Sequence, residues 1–193
     1  LLAPQLVDDH ADAGATAIVE QRAHIFNSEF GGVSAVCGLL PFPVPGVLGA
    51  MDLDALQYAV KKATAGFPAR AMLCLENTHN GAGGTVIAPE HTDRCGAIAH
   101  AAGLPVHLDG ARIFNAAVKL GVDVKELTRS VDSVALCLSK GLSAPIGSVL
   151  VGSKAFIDRA RLIRRALGGA MRQAGIIAAP GLIALRTMVD RLA

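Results

Sequence analysis

Short apolar runs alternate with amphipathic stretches along the whole of this 193-residue chain. Ala17-Ile-Val-Glu reads as a short strand, followed by a polar and aromatic stretch from His24 to Phe30. Gly31-Gly32 opens a mostly apolar segment to Leu40. Pro41, Pro43 and Pro45 then predict a stiff loop, because proline suits neither a helix interior nor a central strand. From Met51 to Thr64 the spacing predicts a helix, with Asp52 as its cap and Leu53, Leu56 and Val60 recurring on one face. Ala71-Met-Leu-Cys-Leu is a continuous apolar run, the mark of a strand buried on both faces. Pro89 suits the first turn of a helix that ends at Gly103, and Leu104-Pro-Val-His-Leu is the strand that leads into Asp109-Gly110. Strand, helix and strand within about forty residues make a βαβ unit, hence a parallel pair with a right-handed crossover. A short helix over Ile113 to Leu120 is stopped by Gly121. Strands over Val131 to Leu138 and Ile146 to Val151 follow, then long helices from Lys154 and from about Arg172. The fold class this spells is α/β: three layers, a mostly parallel sheet flanked by helices.

Composition narrows the function classes. With 52% hydrophobic and 18% charged residues the chain is too apolar for a disordered segment. A net charge of +2, one Tyr and no Trp give neither the basic stripe nor the stacking aromatics of a nucleic-acid binder. No run reaches the ~18 apolar residues of a spanning helix, so no membrane partner is expected. Leu1-Leu-Ala-Pro-Gln lacks a basic leader and soon meets Asp8, Asp9 and His10, which argues against a signal peptide. The 4 cysteines form no C-x-x-C, and Cys74 and Cys137 sit between leucines, so buried free thiols and a cytoplasmic location are expected. The chain starts without Met and stops at Asp190-Arg-Leu-Ala within an uncapped helical stretch. Residues 1–193 therefore read as the central, incomplete portion of a larger domain.

In open parallel sheets ligands bind beyond the carboxyl ends of the strands. Three predicted strands end there in chemistry-bearing residues: Glu76-Asn-Thr-His79-Asn, Asp109-Gly-Ala-Arg112 and Ser139-Lys140-Gly. A lysine in a loop is ordinarily a surface lysine. Here the neighbours, Leu138-Ser139 and Gly141 to Pro145, offer no charged company, and a desolvated lysine is a competent amine nucleophile toward a carbonyl. Asp109 could cap the helix that Gly110 begins, but capping leaves Arg112 unexplained. A protonated pyridine nitrogen needs a carboxylate, and a carboxylate or phosphate needs a planar bidentate donor. Lysine imine plus aspartate on a pyridinium is the pyridoxal phosphate arrangement, and Asp109 and Lys140 lie 31 residues apart. Gly81-Ala-Gly-Gly-Thr lacks the full dinucleotide fingerprint and reads as a flexible turn. The spacings of His91, His100 and His107 match no zinc pattern, so no metal is expected. Arg159, Arg161, Arg164 and Arg165 read as a solvated helix face.

Five segments together resemble the low-specificity L-threonine aldolases, within the beta-eliminating lyases and the aspartate-aminotransferase-like fold. They are His24-Ile-Phe within Ala23 to Gly32, Leu75-Glu-Asn-Thr-His-Asn, His107-Leu-Asp-Gly-Ala-Arg-Ile-Phe-Asn, Cys137-Leu-Ser-Lys-Gly-Leu-Ser-Ala-Pro-Ile-Gly-Ser and Leu167-Gly-Gly-Ala-Met-Arg-Gln-Ala-Gly. The resemblance runs in order from about Ile18 to the C-terminus. It implies a pyridoxal 5'-phosphate enzyme that cleaves L-threonine or L-allo-threonine, a small β-hydroxy amino acid, to glycine and acetaldehyde. It implies that Lys140 forms the imine with the cofactor and Asp109 pairs with the pyridine nitrogen. His24 would stack on the ring and Arg172 bind the phosphate. Arg112 would bind the substrate carboxylate, with His79 beside the β-hydroxyl. The resemblance also implies a homotetramer, an N-terminal segment with a Gly-Thr turn and a C-terminal small domain with a second carboxylate-binding arginine; neither of those two parts matches anything in this chain. Where the family usually has an aromatic residue this chain has Asn27-Ser28, and Ala170 stands where glycine is common. Two alternatives stay open at this point: a catalytically incompetent fragment, and a β-eliminating lyase or aminotransferase using the same cofactor.

Overall fold

The computed structural model describes residues 15–65 and 70–193, so the reading of residues 1–10 as lacking a leader lies outside them. In chain order the strands are β1 (Thr16–Glu20), β2 (Leu40–Val44), β3 (Gly46–Val47), β4 (Ala50–Met51), β5 (Ala71–Glu76), β6 (Val106–Asp109), β7 (Ser133–Cys137) and β8 (Ser148–Gly152). The helices are α1 (His24–Asn27), α2 (Gly32–Ala35), α3 (Leu53–Thr64), α4 (Pro89–Ala101), α5 (Ile113–Leu120), α6 (Val124–Thr128), α7 (Lys154–Ala166) and α8 (Gly175–Thr187). Six strands form one sheet in the order β2-β1-β5-β6-β7-β8; β3 and β4 form a separate antiparallel hairpin. All neighbours in the large sheet are parallel except β7 and β8, so the mostly parallel α/β sheet expected from the sequence is what the chain builds.

Strand alternation divides the core between the two faces. Ile18, Ala71, Leu73 and Val106 pack with Leu56, Val60, Cys95 and Ala99 of α3 and α4. The intervening Ala17, Val19, Met72 and Cys74 pack on the other face with Val33 and Leu39. Farther along, Leu108 and Val134 receive Ile113, Ala116 and Leu127 from α5 and α6. Fully burying a side chain such as Leu73 or Ile18 is worth about 1.5–3 kcal/mol, so β1 and β5, buried on both faces, form a rigid floor for whatever their carboxyl ends carry.

Three local expectations need correction, and one helix is new. Pro41 and Pro43 lie in a strand, not a loop: β2 is the sheet's outer strand. Leu40 N donates to Ala15 O at 2.8 Å, so strand alternation turns the proline nitrogens, which have no hydrogen to donate, toward the open edge. Met51 belongs to β4, and the helix begins at Leu53 with Asp52 Oδ1 accepting from Ala55 N at 2.8 Å. The strand expected over Ile146 to Val151 starts two residues later and runs antiparallel to β7. A short helix that the pattern did not announce, α6, is capped by Asp123, whose side chain accepts from Lys125 N. Among the described residues, no helix is long and apolar enough to cross a membrane.

Candidate active site

Three adjacent strands, β1, β5 and β6, end in carboxylates: Glu20, Glu76 and Asp109. The sheet register sets Glu76 beside Asp109 and Asp109 beside Ala135 of β7, so Asp109 stands at the middle of the carboxyl edge. Glu76 is buried and ties two loops together. Its Oε2 accepts from His24 N and its Oε1 from Asn80 N, both at 2.7 Å. Glu20 is buried as well; its Oε2 accepts from Arg22 N at 2.6 Å and lies 2.9 Å from His79 Nε2. That nitrogen is also 3.9 Å from Glu76 Oε2. The approach to Glu20 is an ion-pair distance outside hydrogen-bond alignment, and His79 Nδ1 has no partner. An imidazole with no solvent exposure, between two buried acids, is a group held for a purpose other than surface solvation.

The hairpin β3–β4 closes over this pair. A Cβ on Gly49 would stand 2.3 Å from His79 Cγ, and one on Gly46 would stand 2.7 Å from Ala50 O and 3.0 Å from Glu20 Cγ. Only a backbone without side chains can approach the acid and the imidazole this closely. The loop after β5 is fixed from within: Asn77 Nδ2 donates to Ile87 O at 2.9 Å, and Ile87 N donates to Asn77 Oδ1 at 3.2 Å. Arg22 reaches across from β1's loop and its Nη2 donates to Gly81 O.

Asp109 is half-buried and its Oδ1 accepts from Ala111 N at 3.0 Å, an aspartate turn; the residue that caps α5 is Arg112, without a side-chain bond to the helix. Asp109 is therefore not a helix cap. Arg112 Nη1 donates to Asn80 Oδ1 at 3.1 Å, which joins the loops after β5 and β6. His24 lies half-buried with Nε2 3.0 Å from Glu29 Oε1. Beneath this edge, burial, with Asp109's charge adding to it, pushes the Cys74 thiol up to about 12, so it is a neutral packing group. His107 is buried against Ser133 Oγ at 2.9 Å, and burial lowers its pKa to about 4.

Lys140 follows β7 and is exposed, contrary to the desolvated amine its apolar neighbours suggested. Leu138, Leu142 and Ala144 turn inward and pack with Ala184 of α8, so the turn sends Ser139 and Lys140 outward. Its carbonyl accepts from Ser143 N at 3.0 Å, but among the described residues its Nζ makes no hydrogen bond or ion pair, leaving the amine available to a carbonyl. Arg172, also exposed, lies before α8 in a cavity of about 630 Å³ lined with Arg161, Arg164 and Arg165. The structure thus gathers His24, His79, Asp109 and Arg112 through Glu76 and Asn80, and among the described residues no hydrogen bond or ion pair joins Lys140 or Arg172 to them. Sequence reasoning left out Glu20 as a site residue and quoted Glu76 and Asn80 without assigning them roles. The available signal was an acid closing an apolar run, as in Ala17-Ile-Val-Glu20 and Leu73-Cys-Leu-Glu76.

A parallel sheet with ligand-competent side chains collected at its carboxyl edge defines an α/β protein of the strand-end-site class. The family model for beta-eliminating lyases matches residues 6–193, and the chain belongs to that family. It is 43% identical over 187 residues to low-specificity L-threonine aldolase 1 of Arabidopsis thaliana, covering 95% of this chain and 52% of that protein. It is 41% identical over 184 residues to the low specificity L-threonine aldolase of Escherichia coli strain K12, covering 95% of this chain and 54% of that one. The chain spans about half the length of the curated relatives it matches. The solved threonine aldolase of Leishmania major superposes with a TM-score of 0.78 at 20% identity, covering 99% of this chain and 54% of that one, a likeness of fold.

Proposed function

We propose that this chain carries the sheet portion of a pyridoxal 5'-phosphate-dependent aldehyde lyase that cleaves L-threonine or L-allo-threonine to glycine and acetaldehyde. The observation that carries the reading is the placement of Asp109 at the centre of the carboxyl edge, with His79 and Asn80 after the strand on one side and Lys140 after the strand on the other. The residues fit the cofactor. Lys140 offers an unpaired amine, Asp109 keeps a carboxylate oxygen beyond the one bonded to Ala111, and the Arg172 cavity suits a phosphate. When bound, the cofactor supplies an aldehyde for amines and a ring that accepts electrons from the substrate's α-carbon.

The chain's own residues do the rest in this reading. Lys140 Nζ would hold the cofactor through its aldehyde, and Asp109 would keep a proton on the pyridine nitrogen. His24, its backbone fixed by Glu76, would lend its ring to hold the cofactor. Arg112, oriented by Asn80, takes the substrate carboxylate through its planar fork. His79 lies on the β-hydroxyl side and takes or relays that proton, with an ordered water as the other candidate base. Assembly as a homo-oligomer belongs to the same reading and is supported by exposed apolar side chains on α8, among them Ile176 and Ile183. A cytoplasmic site is supported by Cys37, Cys74, Cys95 and Cys137, which form no disulfide among the described residues.

Titration of the chain with pyridoxal 5'-phosphate tests the reading. A saturable visible band is expected, lost in Lys140→Ala, and acetaldehyde should be released from threonine. An unchanged band in Lys140→Ala sinks the lysine assignment. No saturable band in the parent chain would instead favour a non-catalytic fragment, and ammonia or a keto acid as product would favour elimination or amino transfer.

A further inference from the structure

Behind His79 the structure holds an arrangement that the aldolase reading does not use. Glu20 is 98% buried by its residual 2% exposure, and while its Oε2 serves Arg22 and faces His79, its Oε1 has no partner. Glu20 lines a small internal cavity of about 10 Å³, the room of one water, together with Gly49, Met51, Glu76, His91 and Thr92. His91 Nε2 is the second buried polar atom without a partner at this cavity. The Met51 backbone lies beside the His91 ring and opposes the lowering of its pKa. With its hydrogen on Nδ1, the neutral ring offers Nε2 as a lone-pair acceptor.

Two buried atoms without partners, Glu20 Oε1 and His91 Nε2, thus belong to residues that line one water-sized space. A carboxylate oxygen and an imine nitrogen each need a hydrogen, and an unsatisfied buried acceptor costs about 1–3 kcal/mol. A single water has two hydrogens to give. We propose that one water molecule occupies this cavity, donating to Glu20 Oε1 and to His91 Nε2, so that Glu20 and His91 act as positioning residues for His79. With Oε1 held by the water and Oε2 by Arg22 N, the carboxylate cannot rotate, and its Oε2 stays 2.9 Å from His79 Nε2, where its charge favours a hydrogen on that nitrogen. His91 reaches in the other direction as well, lining an outer cleft of about 400 Å³ with Asp52, Asp54 and Arg94. Burial, with the charge of Arg94, lowers the His91 pKa against the opposing Met51 backbone, which agrees with a neutral acceptor ring.

The role assigned to His79 rests on the aldolase reading; the water bridge does not, and it is read in the cofactor-free chain. In histidine-labelled protein at neutral pH, long-range proton–nitrogen spectra should show His91 as the Nδ1–H tautomer and His79 with its hydrogen on Nε2. His91→Phe, which removes the nitrogen without touching His79, should shift the His79 ring resonances. His91→Gln, whose amide oxygen can accept from the water, should return them toward the parent positions, and Arg94→Gln should leave them in place. His91 found as the Nε2–H tautomer overturns the proposal, as does a His79 ring unmoved by His91→Phe. Should His91→Phe fail to fold, the tautomers of the unmodified chain decide alone. A parent tautomer pattern with no cofactor band refutes the aldolase reading and spares the bridge; the converse refutes the bridge alone.

Discussion

Gly49→Ala should destabilise the chain far more than an alanine at another glycine with the same backbone angle. Gly49 has φ +86° in the turn Leu48-Gly49 of the β3–β4 hairpin, and an alanine Cβ there would stand 2.3 Å from His79 Cγ, 2.5 Å from its Cβ and 2.6 Å from Cδ2. Two terms add. Holding an L-residue in the left-handed region costs about 1–2 kcal/mol. Forcing a methyl into a packed site costs about 1–3 kcal/mol more, since His79 is fully buried and has little room to retreat. The sum, about 2–5 kcal/mol, is a large share of the ~5–15 kcal/mol that holds a domain together. Gly83 is the internal control: its φ is also +86° and nothing lies within 4 Å of its notional Cβ, so Gly83→Ala carries the first term alone. Urea unfolding should place the Gly49→Ala midpoint about 1 M below that of Gly83→Ala, given a slope of about 1–3 kcal/mol per M. In a His79→Ala background the gap should narrow without closing, because the alanine keeps a Cβ 2.5 Å from the new methyl. Equal midpoints for the two alanines in the parent chain would refute the close packing of the hairpin on His79.

His107 should make the fold sensitive to moderate acid. Its pKa is about 4 in the fold against 6.5 unfolded, so below pH 6.5 the unfolded chain takes up a proton that the folded chain refuses. The stability it contributes is complete above pH 6.5 and is lost as pH falls toward 4, amounting to about 3 kcal/mol. Urea midpoints measured from pH 7 to pH 4 should fall less steeply in His107→Gln than in the parent, and parallel slopes would contradict the assignment. Leu48, exposed at φ +52°, is a leucine where a two-residue hairpin turn favours Asn or Gly. Leu48→Asn should therefore raise the unfolding midpoint by on the order of 1 kcal/mol equivalent, and a lower midpoint would show that the leucine makes a contact that outweighs its strain.

The parallel sheet was legible because doubly buried strands write themselves as unbroken apolar runs, as in Ala71-Met-Leu-Cys-Leu, and because Pro89 and Gly103 bracket the crossover helix. Chain-local signals of this kind say what a segment is but not what lies beside it. Prolines 41 and 43 report that a strand there could not be central; that β2 is an outer strand is a property of the sheet order. The apolar flanks of Lys140 likewise promised burial, yet those flanks are buried by α8, from residues more than thirty positions downstream, and the lysine itself is turned out. The same distinction governs the site. Asp109, Arg112 and His79 follow strands and could be placed at one edge from topology alone. What joins them, Glu76 to His24 and Asn80 to Arg112, crosses 52 and 32 positions of sequence. Glu20 is the clearest case: as a letter it merely ends a short strand. Its weight comes from an unpartnered oxygen, a hairpin of glycines above it and a histidine across a water-sized space. A lone acid at the end of an apolar run is therefore best treated as a question about which buried donors the fold will bring to it.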